Sequence, residues 1–304
     1  MDQGFVDTHI HGAFGFDTSD GIADDMISMA EKLAGCGTCA FCPTTMMIST
    51  DKILRSFEAV AEACERLKGS DKPCSKILGM RLEGPFLSPE MCGVQDSSNA
   101  VLPKDSTTLI DRIEREFPGL LKIIDISPEL DGGIDMIREY KDRYVFSLAH
   151  TAADYDIASE AFEAGASSVT HVLNAMHPML KRDTGVLGAA IDHDAYIEVI
   201  ADGKHLHAPY LKLLYSDVLE NRIITISDSM RGCLMPDGTY DLGGTPVKVY
   251  DGQTHFGPHG GLAGSVTYMA QEFETLLALG IDRERIIRTM RDNPLRRMGI
   301  KELD

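Results

Sequence analysis

Eight times along the chain a short β-rich run gives way to a longer stretch with helical spacing of its apolar residues. The strand candidates occupy 4–12, 38–46, 76–84, 120–129, 144–150, 167–175, 196–203 and 222–229. Between them lie segments such as 51–69, apolar at helical spacing and closed by a glycine, and 154–166, opened by an aspartate suited to N-capping. Few architectures accommodate such alternation. Repeated eight times it predicts an α/β fold, a parallel (β/α)8 TIM barrel with the helices outside. One interruption, 236–256, carries Asp-Gly and Gly-Gly turn signals and predicts a β-hairpin inserted after strand eight. No linker, low-complexity tract or repeated sequence divides the chain, so residues 1–304 are expected to form one domain.

In such a barrel the chemistry belongs to the C-terminal ends of the strands. His9 and His11 stand there on strand one, in "VDTHIHG", and strand periodicity turns both to one face. Strand three ends at Glu83, strand five at His150 and strand eight at Asp228, while His171 lies near the end of strand six. A single strand-end histidine is usually no more than a hydrogen-bonded polar residue. Four histidines and two carboxylates converging on one mouth point instead to a metal. Imidazole with carboxylate suits zinc, iron or manganese better than soft copper or hard calcium. A carboxylate buried at Glu83 is costly alone. As a ligand, shared between two ions, it has its counter-charge.

The net charge of −18, from 29 basic and 47 acidic residues, excludes the basic face that a nucleic-acid partner needs and disfavours an anionic membrane. No apolar run reaches the roughly 18 residues of a membrane span. The opening "MDQGFVD" has neither the basic nor the apolar region of a signal peptide, and seven cysteines is an odd number, so a cytoplasmic location is expected. Cys36, Cys39 and Cys42 have the spacing of part of an iron–sulfur run. Met46 stands where the fourth cysteine belongs, and the segment reads better as the entry to a buried strand.

The segments "HIHG", "LEGPFLSP", "VTHVLNAM", "IADGKHLH", "SDSM" and "GLAGS" together resemble the N-acetylglucosamine-6-phosphate deacetylases of the amidohydrolase superfamily, from Gly4 to about Ile300. The resemblance implies hydrolysis of an N-acetyl group from a phosphorylated amino sugar. It assigns Glu83, His150 and His171 to a metal that members share. Some members replace the strand-one pair and use one metal. Retention of His9 and His11 here implies a second ion, so one or two divalent metals per chain are expected. Asp228 would serve as ligand and as base, then acid. By the same resemblance Asn174, Ala175 and His205 face the phosphate, and Leu262, Ala263 and Gly264 line the sugar site. Arg182 supplies a local positive charge, reaching into a neighbouring subunit of a homodimer.

Three departures matter. The family's satellite β-sandwich is not legible in these residues, and its absence is the expectation. Many members carry a histidine against the acetyl carbonyl, where Gln95 stands here. An amide NH2 donates a hydrogen bond but carries no charge, so a second metal would take over polarisation. His177 is an extra histidine, read as a solvated loop residue, while His193, His207, His255 and His259 are left as surface or supporting residues. Two further readings stay open: an amidohydrolase acting on another N-acyl amino sugar or amino acid, and a non-catalytic sugar-phosphate-binding relative.

Overall fold

The computed structural model describes residues 4–257 and 260–303; His259 lies outside them. The parallel strands, in chain order, are β1 (Phe5–Ile10), β2 (Thr38–Pro43), β3 (Met80–Glu83), β4 (Leu121–Ile126), β5 (Val145–Leu148), β6 (Ser168–Val169), β7 (Tyr196–Ile200) and β8 (Ile223–Ile226). β3 through β8 form one continuous sheet with neighbours in sequence order, and β1 pairs with β2. Parallel bridges Ile10–Ser229 and Thr44–Arg81 join the two sheets at both seams, curling the strands into a barrel. Strand three is shorter than the sequence suggests because Gly79, at φ +133°, breaks the extended backbone. Lys76–Ile77 pair with β2 before the break, and Met80–Glu83 pair with β4 after it.

The helices form where their apolar faces meet the barrel. In Thr50–Leu67 the buried Ile53, Phe57, Val60 and Ala63 recur every three or four residues. Helix Tyr155–Ala164 is capped by Asp154, which accepts a bond from the Ile157 amide at 2.9 Å, as its sequence predicts. Around these elements runs one main apolar core cluster, from Phe5 to Met290.

The insertion after β8 holds three strands rather than a simple hairpin: β9 (Gly238–Leu242), β10 (Thr245–Tyr250) and β11 (Gln253–His255). Gly243–Gly244 and Asp251–Gly252 make the turns, all four at positive φ, as two-residue hairpin loops require. Asp237-Gly238 is no turn centre, since Gly238 already pairs with Val249. The first turn packs toward the barrel mouth: a Cβ added at Gly243 would lie 3.1 Å from the Met46 side chain.

Candidate metal centre

The chain leaves its strands abruptly at the mouth. His150, His171 and Asp228 have left-handed backbones, with φ of 44°, 30° and 47°. Such conformations cost a non-glycine residue of order 1–3 kcal/mol each and persist where surrounding bonds over-determine them. Those bonds are present. The His150 carbonyl accepts from Ser127 Oγ (2.8 Å), the Asp228 carbonyl from the Ser265 amide (2.7 Å), and the His171 carbonyl from Asn174 Nδ2 (2.9 Å).

The side chains so aimed converge on Glu83. His171 Nε2 is 3.1 Å and His150 Nε2 3.3 Å from Glu83 Oε1, and His11 Nε2 is 3.4 Å from Oε2. His9 and His11 approach Nε2 to Nε2 at 3.2 Å, and both lie within 3.3 Å of Asp228 Oδ1. Two ligand groups result, His9–His11–Glu83 and Glu83–His150–His171, with Glu83 common to both. His11 Nδ1 donates to the Thr44 carbonyl at 3.3 Å and His150 Nδ1 to the Met91 carbonyl at 2.8 Å. In the neutral ring that places the lone pair on Nε2, the atom facing Glu83. The donor set fits a borderline divalent cation.

Electrostatics point the same way. Burial works against charge on Glu83, yet the four surrounding imidazoles hold its carboxyl well below the usual carboxylate range. Asp228 is pulled down to about 2, burial again outweighed by His9 and His11. Burial, helped by the Arg81 charge, lowers His9. His11 and His171 are raised against burial, His11 by Asp228 and Glu83, His171 by Glu83. Protons on imidazole thus balance the carboxylates where a metal ion would.

A cavity of about 490 Å³ opens over this cluster. Gln95, Asn174, Ala175 and His205 line it, as do Leu262, Ala263 and Gly264, so seven of the eight residues expected around the substrate share its wall. Arg182 does not: it is exposed, on a separate cleft with Asp154 and Lys181. Gln95 Oε1 accepts from the Met47 amide at 2.5 Å, which orients Nε2 to donate to Glu83 Oε2 at 3.0 Å. His205 Nδ1 sits 2.8 Å from Asp202 Oδ2, an oriented pair not foreseen from sequence. Also unforeseen are Met46 and Leu242 in the cavity wall. No local signal marks them, since β9 reaches the mouth only through the fold. His177 is exposed, as expected of a loop histidine. All seven cysteines are free, and among the described residues none joins a group arranged to hold a metal.

The model of the amidohydrolase family matches residues 4–237. The chain is 37% identical over 268 residues to N-acetylglucosamine-6-phosphate deacetylase of Bacillus subtilis (strain 168), covering 88% of this chain and 67% of that one. It is 30% identical over 299 residues to N-acetylgalactosamine-6-phosphate deacetylase of Escherichia coli O157:H7, covering 97% and 77%. Among solved structures, N-acetyl-D-glucosamine-6-phosphate deacetylase from Mycobacterium smegmatis, in complex with N-acetyl-D-glucosamine-6-phosphate, superposes with a TM-score of 0.88 at 28% identity. That match covers 98% of this chain and 77% of the other. The chain therefore belongs to the amidohydrolase family, and within it to the N-acetylated amino-sugar-6-phosphate deacetylases.

Proposed function

We propose that this protein hydrolyses the N-acetyl group of N-acetylglucosamine 6-phosphate, releasing acetate and glucosamine 6-phosphate. The observation that carries the reading is the pair of ligand groups joined at Glu83, with an ionised Asp228 beside them and a cavity of substrate size above. His9, His11, Glu83, His150, His171 and Asp228 would hold one or two divalent ions, of zinc, iron or manganese. When bound, the metal supplies Lewis acidity toward the acetyl carbonyl and acidifies water toward neutral pH.

The residues of the chain do the rest. Asp228, ionised and 3.2 Å from His11 Nε2, accepts the proton of the attacking water and returns it to the departing nitrogen. That return is needed because an amide anion is a very poor leaving group. Gln95 Nε2, its orientation set by Met47, donates toward the carbonyl end. Leu262, Ala263 and Gly264 line the sugar, and Asn174, Ala175 and His205 take the phosphate end. With Nδ1 committed to Asp202, His205 presents Nε2 to the cavity. Arg182 serves the site of a second copy, which accounts for its exposure beside the exposed Met179 and Leu180 and makes the assembly a homodimer. One domain, continuous over its main apolar core, carries the activity. The free cysteines favour a reducing, cytoplasmic setting, and no described helix is long and apolar enough to cross a membrane.

The epimer is the open competitor, because the relative named N-acetylgalactosamine-6-phosphate deacetylase aligns over more of both chains than the Bacillus subtilis N-acetylglucosamine-6-phosphate deacetylase does. Acetate release should be measured on both N-acetylated 6-phosphates, on unphosphorylated N-acetylglucosamine and on an N-acetyl amino acid, with metal counted on the same sample. Preferred turnover of N-acetylglucosamine 6-phosphate supports the proposal. Preference for the galacto epimer or for an unphosphorylated substrate replaces it, and no turnover with metal bound sinks it.

A further inference from the structure

Below the mouth, the barrel interior holds a second polar assembly that the reaction does not use. Arg81, two residues before Glu83 on β3, forks Asp125 through Nε and Nη2 at 2.7 Å each. Its Nη1 and Nη2 reach Glu198 Oε1 (2.7 Å) and Oε2 (2.8 Å), and Nη1 also donates to the Thr8 carbonyl at 3.1 Å. Arg297, from the short helix Asn293–Arg297, donates to the same Glu198 Oε1 and, through Nη2, to Thr8 Oγ1 at 2.8 Å. Two guanidinium groups therefore clamp β1 one residue before His9.

Glu198 is used unevenly by this clamp. Oε1 takes both arginines, whereas Oε2 takes only one and keeps a free lone pair. That atom lies 4.0 Å from Nδ1 of His9. His9 Nδ1 is buried and has no hydrogen-bond partner, as is true of Nδ1 of His171, whereas Nδ1 of His11 and His150 face backbone carbonyls. A histidine that ligates through Nε2 carries its proton on Nδ1, and that proton seeks an acceptor. Glu198 is the carboxylate within reach on that side of the ring.

We propose that Glu198 is the positioning residue of His9: it accepts the Nδ1 proton of the ligated ring and so sets the affinity of the His9–His11–Glu83 half of the centre. Arg81 and Arg297 hold the carboxylate for that task. The Glu83–His150–His171 half does not depend on it, since His150 is oriented by Met91. This inference rests on the two-ion reading proposed above.

The test counts metal rather than turnover. Wild type and Glu198→Gln are stripped, then titrated with zinc, with stoichiometry and both affinities read by calorimetry and elemental analysis. The glutamine NH2 meets two arginines at the Oε1 position and one arginine at the Oε2 position, so it settles at Oε2 and turns a donor toward His9. The expected result is two ions in wild type, and in Glu198→Gln one site weakened about 10- to 100-fold while the other holds. Retention of both ions at wild-type affinity overturns the inference, as does equal weakening of both sites, the mark of a generally loosened core. Should wild type itself bind a single ion, the two-ion reading falls and this inference with it. If the variant does not fold, the zinc-loaded wild-type crystal structure decides. An Oε2–Nδ1 separation within hydrogen-bond range supports the role, and one still near 4.0 Å refutes it.

Discussion

The mouth and the floor of the barrel meet on β3 and differ in how their charges close. On the floor, Arg81 and Arg297 meet Asp125 and Glu198, two cations for two anions, with every carboxylate oxygen bonded. At the mouth, Glu83 and Asp228 face four imidazoles, and among the described residues no lysine or arginine lines the cavity. The floor balances its own charge. The mouth reaches neutrality only by taking up protons or a metal. Arg81 and Glu83 sit two residues apart on β3, so position along one strand separates a charge paired within the barrel from one that faces the cavity.

That contrast can be broken at several points. The largest effect belongs to Glu83→Gln, which removes the ligand common to both groups. Acetate release should fall to background and bound metal, by elemental analysis, to near zero, while the apo protein stays folded by circular dichroism. Metal retained at full stoichiometry would show that Glu83 is not the shared ligand.

Asp228→Asn should lower kcat by roughly 10²- to 10⁴-fold through loss of the proton carrier. Glu83, His150 and His171 keep at least one ion. Steady-state kinetics and metal analysis on one sample separate this from loss of the centre.

Arg81→Met addresses the other side of the comparison. It leaves Asp125 and Glu198 buried without their principal cation and should destabilise the fold by about 3–5 kcal/mol. Urea denaturation of the apo proteins reads this, and a floor variant that unfolds no earlier than Glu83→Gln would erase the distinction.

The pH response sharpens it further. His11 and His171 are raised above the usual imidazole value, so metal must displace their protons. Apparent affinity should rise with pH from the ordinary imidazole range upward and flatten once those rings are neutral. Zinc titrations at several pH values measure it, and affinity independent of pH would contradict the protonated apo site. The smallest change is expected from Arg182→Ala, with KM for the phosphosugar raised about tenfold, kcat near wild type and stability untouched. An unchanged KM would remove Arg182 from phosphate binding.

Much of this was legible along the chain because it is local. The eight strand-and-helix alternations, the His-x-His pair and the acids and histidines at strand ends follow from periodicity and from where strands stop. The floor was not legible. Arg81 and Glu198 are 117 positions apart, and Arg297 lies 99 beyond Glu198, so nothing in either neighbourhood names the other. Leu242 and Met46 were missed for the same reason.

The sequence by itself determined the barrel order and which residue types would crowd its C-terminal mouth, because strand period and strand end are short-range properties. Closure of the ring decided the rest. The seam Ile10–Ser229 brings strand one against the end of strand eight, and Thr44–Arg81 brings strand two against strand three. Left-handed turns at His150, His171 and Asp228 then swing their side chains over Glu83. Spatial convergence of groups far apart in sequence is a property of the packed chain: it depends on burial and on bonds that form only when the strands meet.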